Sequence, residues 1–159
     1  MRLKPASLRI TPHSILFYWL PPLLWMAAIF YFSTDTFSGG NTGSLFYRGA
    51  RAFIPNLTLA QFAPVHFFIR KAAHFTEYAI LALLLFRAFR AGATTRWYGR
   101  WALYSLLMVV IYALADEWHQ SFTRYRVGSM QDSLTDIAGG ATALLWLWWR
   151  RRRNRGALN

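Results

Sequence analysis

Two histidines and five carboxylates stand at helical spacing in stretches that are otherwise apolar. His74 and Glu77 are three residues apart, as are Asp116 and His119, with Glu117 and Gln120 beside them. Asp132 and Asp136 are four apart. Residues at such spacing are neighbours on one helix face. His-x-x-Glu and Asp-x-x-His approximate bundle metal sites, whose usual form is Glu-x-x-His. Two His and several carboxylates suit zinc or a harder divalent ion; the candidate ligands are His74, Glu77, Asp116, His119 and Asp132. The same groups fit acid–base catalysis, with Glu77 as general base and Asp116 and His119 as the other catalytic candidates. Ser121 and Ser129 lack an elbow or triad, so nucleophilic catalysis has little support.

Cations border these groups: Arg70, Lys71, Arg124 and Arg126. Arginine binds phosphate and carboxylate bidentately, and basic pockets between helices hold anionic lipid heads. A binding site would then comprise Lys71, His74, Glu77, Asp116, Glu117, Gln120, Arg126, Asp132 and Asp136. A third reading is structural. Lys71 and Arg126 would neutralise Glu77, Asp116 or Asp132, and His74 would bond Tyr112 or a carboxylate, the usual fate of ionisable groups inside a bundle. His13 and His66 stand alone and read as structural.

The elements that must position these residues are apolar runs. Hydrophobic residues make up 55% of the 159 and charged ones only 15%, against about a quarter charged in soluble domains. Four runs are candidate membrane helices: residues 15–32, 65–89, 101–122 and 130–149. A hydrocarbon core needs about 20 apolar residues. Pro21 and Pro22 should kink or delay the first. The connection 33–64 opens with Gly-rich loop signals and continues through Leu45, Phe46, Arg48 and Arg51. An amphipathic interfacial helix is expected there, with a loop as the alternative that Gly49 favours. The expected fold is all-α, an integral membrane bundle of four transmembrane helices. Residues 1–150 form the transmembrane domain and 151–159 a basic cytoplasmic tail.

Charge gives the orientation. Twelve of the eighteen Lys and Arg fall at the N-terminus, between runs two and three, and in the tail. All six acids, including Asp35, fall on the other side. The positive-inside rule places both termini in the cytoplasm and the acids outward. In such a protein a net charge of +12 marks membrane orientation, and no nucleic acid is expected. Cysteine is absent, which excludes disulfides and thiolate chemistry. At 100° per residue, Arg70, Lys71, His74, Glu77 and Tyr78 share a face of run two. Tyr112, Asp116, His119 and Gln120 share one of run three, and Ser129, Asp132, Asp136, Gly139 and Ala143 one of run four. Gly139 and Ala143 are a small-xxx-small pair that admits a close helix.

These faces also carry a resemblance. Arg70-Lys71-Ala72-Ala73-His74-Phe75-Thr76-Glu77-Tyr78-Ala79 resembles the K-x-x-H-F-x-E-Y-A motif of VanZ-like membrane proteins. Asp116-Glu117-Trp118-His119-Gln120-Ser121-Phe122 resembles the family's D-E-x-x-Q-x-F, and Arg126, Asp132 and Gly139 match its later elements. Asp136 stands where the family more often has Asn. The resemblance implies a bacterial inner-membrane protein with a theme of glycopeptide (teicoplanin) resistance, and no established reaction.

Between metal and a basic pocket, the ligand spacing departs from metal motifs, and four cations at the mouth would repel a cation. The expected function is therefore recognition of an anionic cell-envelope lipid or peptidoglycan precursor, with membrane lipids as partners and no cofactor. A metal-dependent or acid–base enzyme acting on an envelope lipid, and a purely structural network, are the alternatives.

Overall fold

Apolar runs punctuated by Gly, Pro and capping residues fold here into five helices. The computed structural model describes residues 12–34, 39–91, 99–122 and 129–156. They form α1 (Pro12–Phe32), α2 (Gly39–Phe53), α3 (Leu59–Arg90), α4 (Gly99–Gln120) and α5 (Met130–Gly156), with no strand among the described residues. Asp35, Arg124 and Arg126 lie outside the described residues.

Two boundaries differ from expectation. α1 starts at Pro12 and runs through Pro21 and Pro22. A proline in the first turn gives up only a donor that has no helical partner anyway. α3 begins at Leu59, six residues before the expected run. The reason is a capping box: Thr58 Oγ accepts from the Gln61 N–H at 3.3 Å, and Gln61 Oε1 accepts from the Thr58 N–H at 3.0 Å. Each first-turn donor so satisfied stabilises the start. At the other end Ala91 takes a left-handed conformation with φ 42°. Its N–H donates to Arg87 and Ala88 carbonyls, closing the helix. Within the connection 33–64 the expected helix forms, as α2.

Side-chain contacts order the bundle. Arg87 near the end of α3 stacks on Phe17 near the start of α1, at 4.7 Å from the ring centre. α1 and α3 are therefore antiparallel. Ser33 after α1 bonds Asp116 late in α4, and Lys71 in α3 meets Asp132 at the start of α5. The four long helices thus alternate up and down, with α3 packed most extensively on α5. α2 folds back along the start of α3: Gly43 and Phe46 meet His66, and Tyr47 meets Phe62. Residue numbers rise along one helix as they fall along the other, as in an αα-hairpin. Tyr47 Oη donates to the Leu57 carbonyl at 3.0 Å and ties the hairpin.

Helices approach one another closely at Gly139 and Gly140. A Cβ on Gly139 would stand 2.2 Å from the Phe75 carbonyl oxygen of α3. One on Gly140 would stand 2.9 Å from Val109 Cγ1 of α4. Small residues let backbones approach this closely.

Hydrophobicity is distributed inside out. Through the middle and toward the basic end the core is apolar: Leu81, Leu85, Phe86, Val109 and Leu144 are buried. At the acidic end the buried groups include Ser33, Asp116, Glu117, Gln120, Ser133 and Asp136. Outward the helices present Phe67, Phe68, Leu107, Ile111 and Leu114. α3 and α4 are long and apolar enough to cross a membrane, and only a third of their apolar windows is buried. A soluble core helix of that composition would be mostly covered. The apolar stretch of α1, Leu16–Phe32, is shorter. α5 opens on Asp132 and Asp136 and ends in arginines, which shortens its apolar length.

Candidate functional site

Each face read from helical periodicity meets a particular neighbour. On α4, Tyr112, Asp116, His119 and Gln120 turn toward α1. Tyr112 Oη donates to the Met26 carbonyl at 2.6 Å. Asp116 Oδ2 accepts from Ser33 Oγ at 2.9 Å and from Gln120 Nε2 at 2.8 Å. The His119 ring lies against Phe30, centres 4.3 Å apart. From α1, Trp25 Nε1 donates to the Glu77 carbonyl of α3 at 2.9 Å. α1 is therefore pinned to α3 and α4 by polar bonds as well as by packing. In a low-dielectric interior such bonds are costly to break without replacement.

The face of α5 turns to α3. Lys71 Nζ pairs with Asp132 Oδ1, their side chains about one-fifth exposed at 21% and 18%. One turn deeper, His74 Nδ1 faces Asp136 Oδ1 at 3.3 Å, a contact without hydrogen-bond alignment that is an ion pair when the imidazole is protonated. Deeper still comes the Gly139 crossing. Glu117 takes a separate route: its Oε2 accepts the Ser129 backbone N–H and so closes the start of α5 onto α4. That is a carboxylate beside a helix N-terminus, where the dipole favours it.

The network is incompletely satisfied. Both Asp136 oxygens, Asp116 Oδ1, Glu117 Oε1 and the Tyr78 hydroxyl are buried without a hydrogen-bond partner among the described residues. An unpaired buried polar group costs about 1–3 kcal/mol. No three His, Cys, Asp or Glu side chains group as metal ligands among the described residues. Asp132 and Asp136 pair on the α5 side of α3, whereas Asp116 and His119 face α1.

Beside this network lies a cavity of about 290 Å³, between the end of α1, α2 and the first half of α3. Phe32, Phe46, Ile69 and Ala73 supply an apolar wall. Its polar groups are Ser33, Thr42, His66, Arg70, His74 and Glu77. Arg70 makes no hydrogen bond or ion pair to the protein among the described residues. His66 Nε2 is buried without a hydrogen-bond partner among the described residues. His66 therefore belongs to the cavity, which its solitary place in the sequence did not reveal. Thr42 and Phe46 were also missed as site residues. The amphipathic pattern of α2 was the signal available, but it did not say which surface the helix would cover.

Of the residues expected to form the site, His74 and Glu77 line the cavity. Lys71 turns away from it to Asp132. Asp116, Glu117, Gln120 and Asp136 form the adjoining network.

Fold and site together define a class: a helical bundle of membrane-protein type, apolar outside, with a polar cluster at one end. The chain belongs to the VanZ/LLP1 family, whose profile matches residues 18–151. No curated protein and no solved structure matches it. Family membership and two apolar helices point to a membrane protein.

Proposed function

We propose that this protein crosses the bacterial inner membrane four times, with both termini in the cytoplasm. Its outward site would bind the anionic head of a cell-envelope lipid or peptidoglycan precursor. The family name connects this reading to teicoplanin resistance. The observation that carries it is Arg70, without a hydrogen bond or ion pair among the described residues, beside an apolar wall under α2. A mostly apolar cleft with a few convergent polar groups is the usual form of a ligand site. A guanidinium there offers a forked set of donors to phosphate or carboxylate.

The carboxylate network next to the cavity is better read as support. Lys71 is occupied by Asp132, and Asp116 by Ser33 and Gln120. These pairings hold α1, α3, α4 and α5 in register behind the cavity and leave Arg70 as its cation. The test is lipid retention by purified protein in detergent, read by native mass spectrometry. Wild type should retain phospholipid, and Arg70→Ala should lower retention about tenfold, the worth of a charge-assisted bond. Equal retention by a well-folded Arg70→Ala protein would remove the reading.

A further inference from the structure

The cavity carries both signs of charge. Arg70 and Glu77 line it from one helix, seven residues and two turns apart, a rise of about 10 Å. Between them stand Ala73 and His74, with Ser33 and Thr42 opposite on other segments. A ligand bearing only an anion would use Arg70 and His66 and make no contact of opposite sign with Glu77. Juxtaposed like charges oppose binding.

We infer that the head group recognised here is an aminoalkyl phosphate, a phosphate ester with a primary ammonium a short chain away. The phosphate sits at Arg70 and the ammonium at Glu77. This rests on the proposed binding of an envelope lipid at the cavity and names its chemical class. Arg70 donates to phosphate oxygens, and His66 Nε2 stands near enough in the same lining to share that end. A carboxylate has about four acceptor sites, so Glu77 can take an ammonium N–H while keeping bonds to its own protein. Apolar Phe32, Phe46 and Ile69 receive the first part of the lipid chain. A primary ammonium can donate hydrogen bonds to the acceptor sites that the carboxylate has left. A quaternary trimethylammonium head has no N–H and donates none.

The experiment uses full-length protein in mixed vesicles containing equal parts of phosphatidylethanolamine, phosphatidylglycerol and phosphatidylcholine, followed by extraction and mass spectrometry of the lipid retained. Wild type should enrich phosphatidylethanolamine about tenfold over each of the others, the scale of one charge-assisted hydrogen bond. Glu77→Gln should bring phosphatidylethanolamine and phosphatidylglycerol to near parity, whereas Arg70→Ala should lower all three. Soluble 2-aminoethyl phosphate should compete, and glycerol phosphate should not. Competition at concentrations like those of the lipid would identify a free aminoalkyl phosphate as the source; much weaker competition would identify the lipid. Equal retention of ethanolamine and choline lipids by wild type would overturn the proposal, even if Glu77→Gln fails to fold. So would an ethanolamine preference that survives Glu77→Gln. Loss of all retention in wild type would instead defeat the lipid-site reading beneath it.

Discussion

Asp116 and Asp136 are both buried carboxylates, yet they are held differently. Asp116 accepts two hydrogen bonds on one oxygen, from a hydroxyl on the end of α1 and from Gln120 one turn on. Asp136 has no exposed surface and, among the described residues, only the facing His74 ring. Glycines differ as sharply. Gly139 exists because the α3 backbone passes where its Cβ would be, and backbone cannot swing aside as a side-chain tip can. Gly139→Ala should lower the thermal unfolding midpoint in detergent, by an overpacking cost of about 1–3 kcal/mol. Gly49, inside α2, has nothing within 4 Å of a built Cβ. Gly49→Ala should therefore hold or raise the midpoint, because alanine is better than glycine in a helix by about 0.5–1 kcal/mol. Equal effects from the two substitutions would show that the crossing at Phe75 does not control stability.

Among elements, α3 is central. Its 32 residues reach about 48 Å, more than the roughly 30 Å of a hydrocarbon core. The excess at its start is partnered by α2, and the part from Lys71 onward faces α5. Lys71 and Asp132 join the two helices near the acidic end. Their partial exposure weakens the pair below the value of a fully buried one. Lys71→Met or Asp132→Asn alone should destabilise by leaving the other charge unmatched. The double variant should recover stability, with a coupling of roughly 0.5–3 kcal/mol in a thermal or denaturant series. Strict additivity would mean that the two side chains do not meet in the folded protein. Serine and threonine elsewhere bond their own helix: Thr76 Oγ1 to the Ala72 carbonyl, Ser105 Oγ to Trp101 and Thr135 Oγ1 to Gln131. Such back-bonding satisfies hydroxyls without a partner helix.

At the scale of the molecule, two ends differ in chemistry. One carries the tail arginines stacked on tryptophans, with Arg152 4.3 Å from the Trp148 ring centre and Arg153 4.8 Å from that of Trp149. The other carries the described acids and the cavity. Tryptophan and cationic residues at a membrane interface anchor that face. In the proposed topology, single cysteines at Ser38 and Tyr125 should react with an impermeant thiol reagent on intact cells. A cysteine at Thr94 should react only after permeabilisation. The reverse pattern would turn the cavity toward the cytoplasm and exclude an external ligand.

Local pattern alone determined a good part of this protein. Helical periodicity assigned Tyr112, Asp116 and Gln120 to one face and Asp132, Asp136 and Gly139 to another, and both faces are used as units. Charge sorting separated the acidic from the basic end, and the motifs led to the family. Such features depend on residues within a few turns, which spacing reports directly. Partner choice was decided by tertiary structure. Lys71 goes to Asp132 because α3 and α5 run parallel from the same end, and Asp116 goes to Ser33 because the end of α1 meets α4 there. The cavity was decided the same way. Gly43 lets α2 settle on His66, and only that contact brings Thr42 and Phe46 over Arg70 and Glu77. No residue in either segment encodes the other at short range: the site forms where two helix faces meet, and their rotation and order are set by packing.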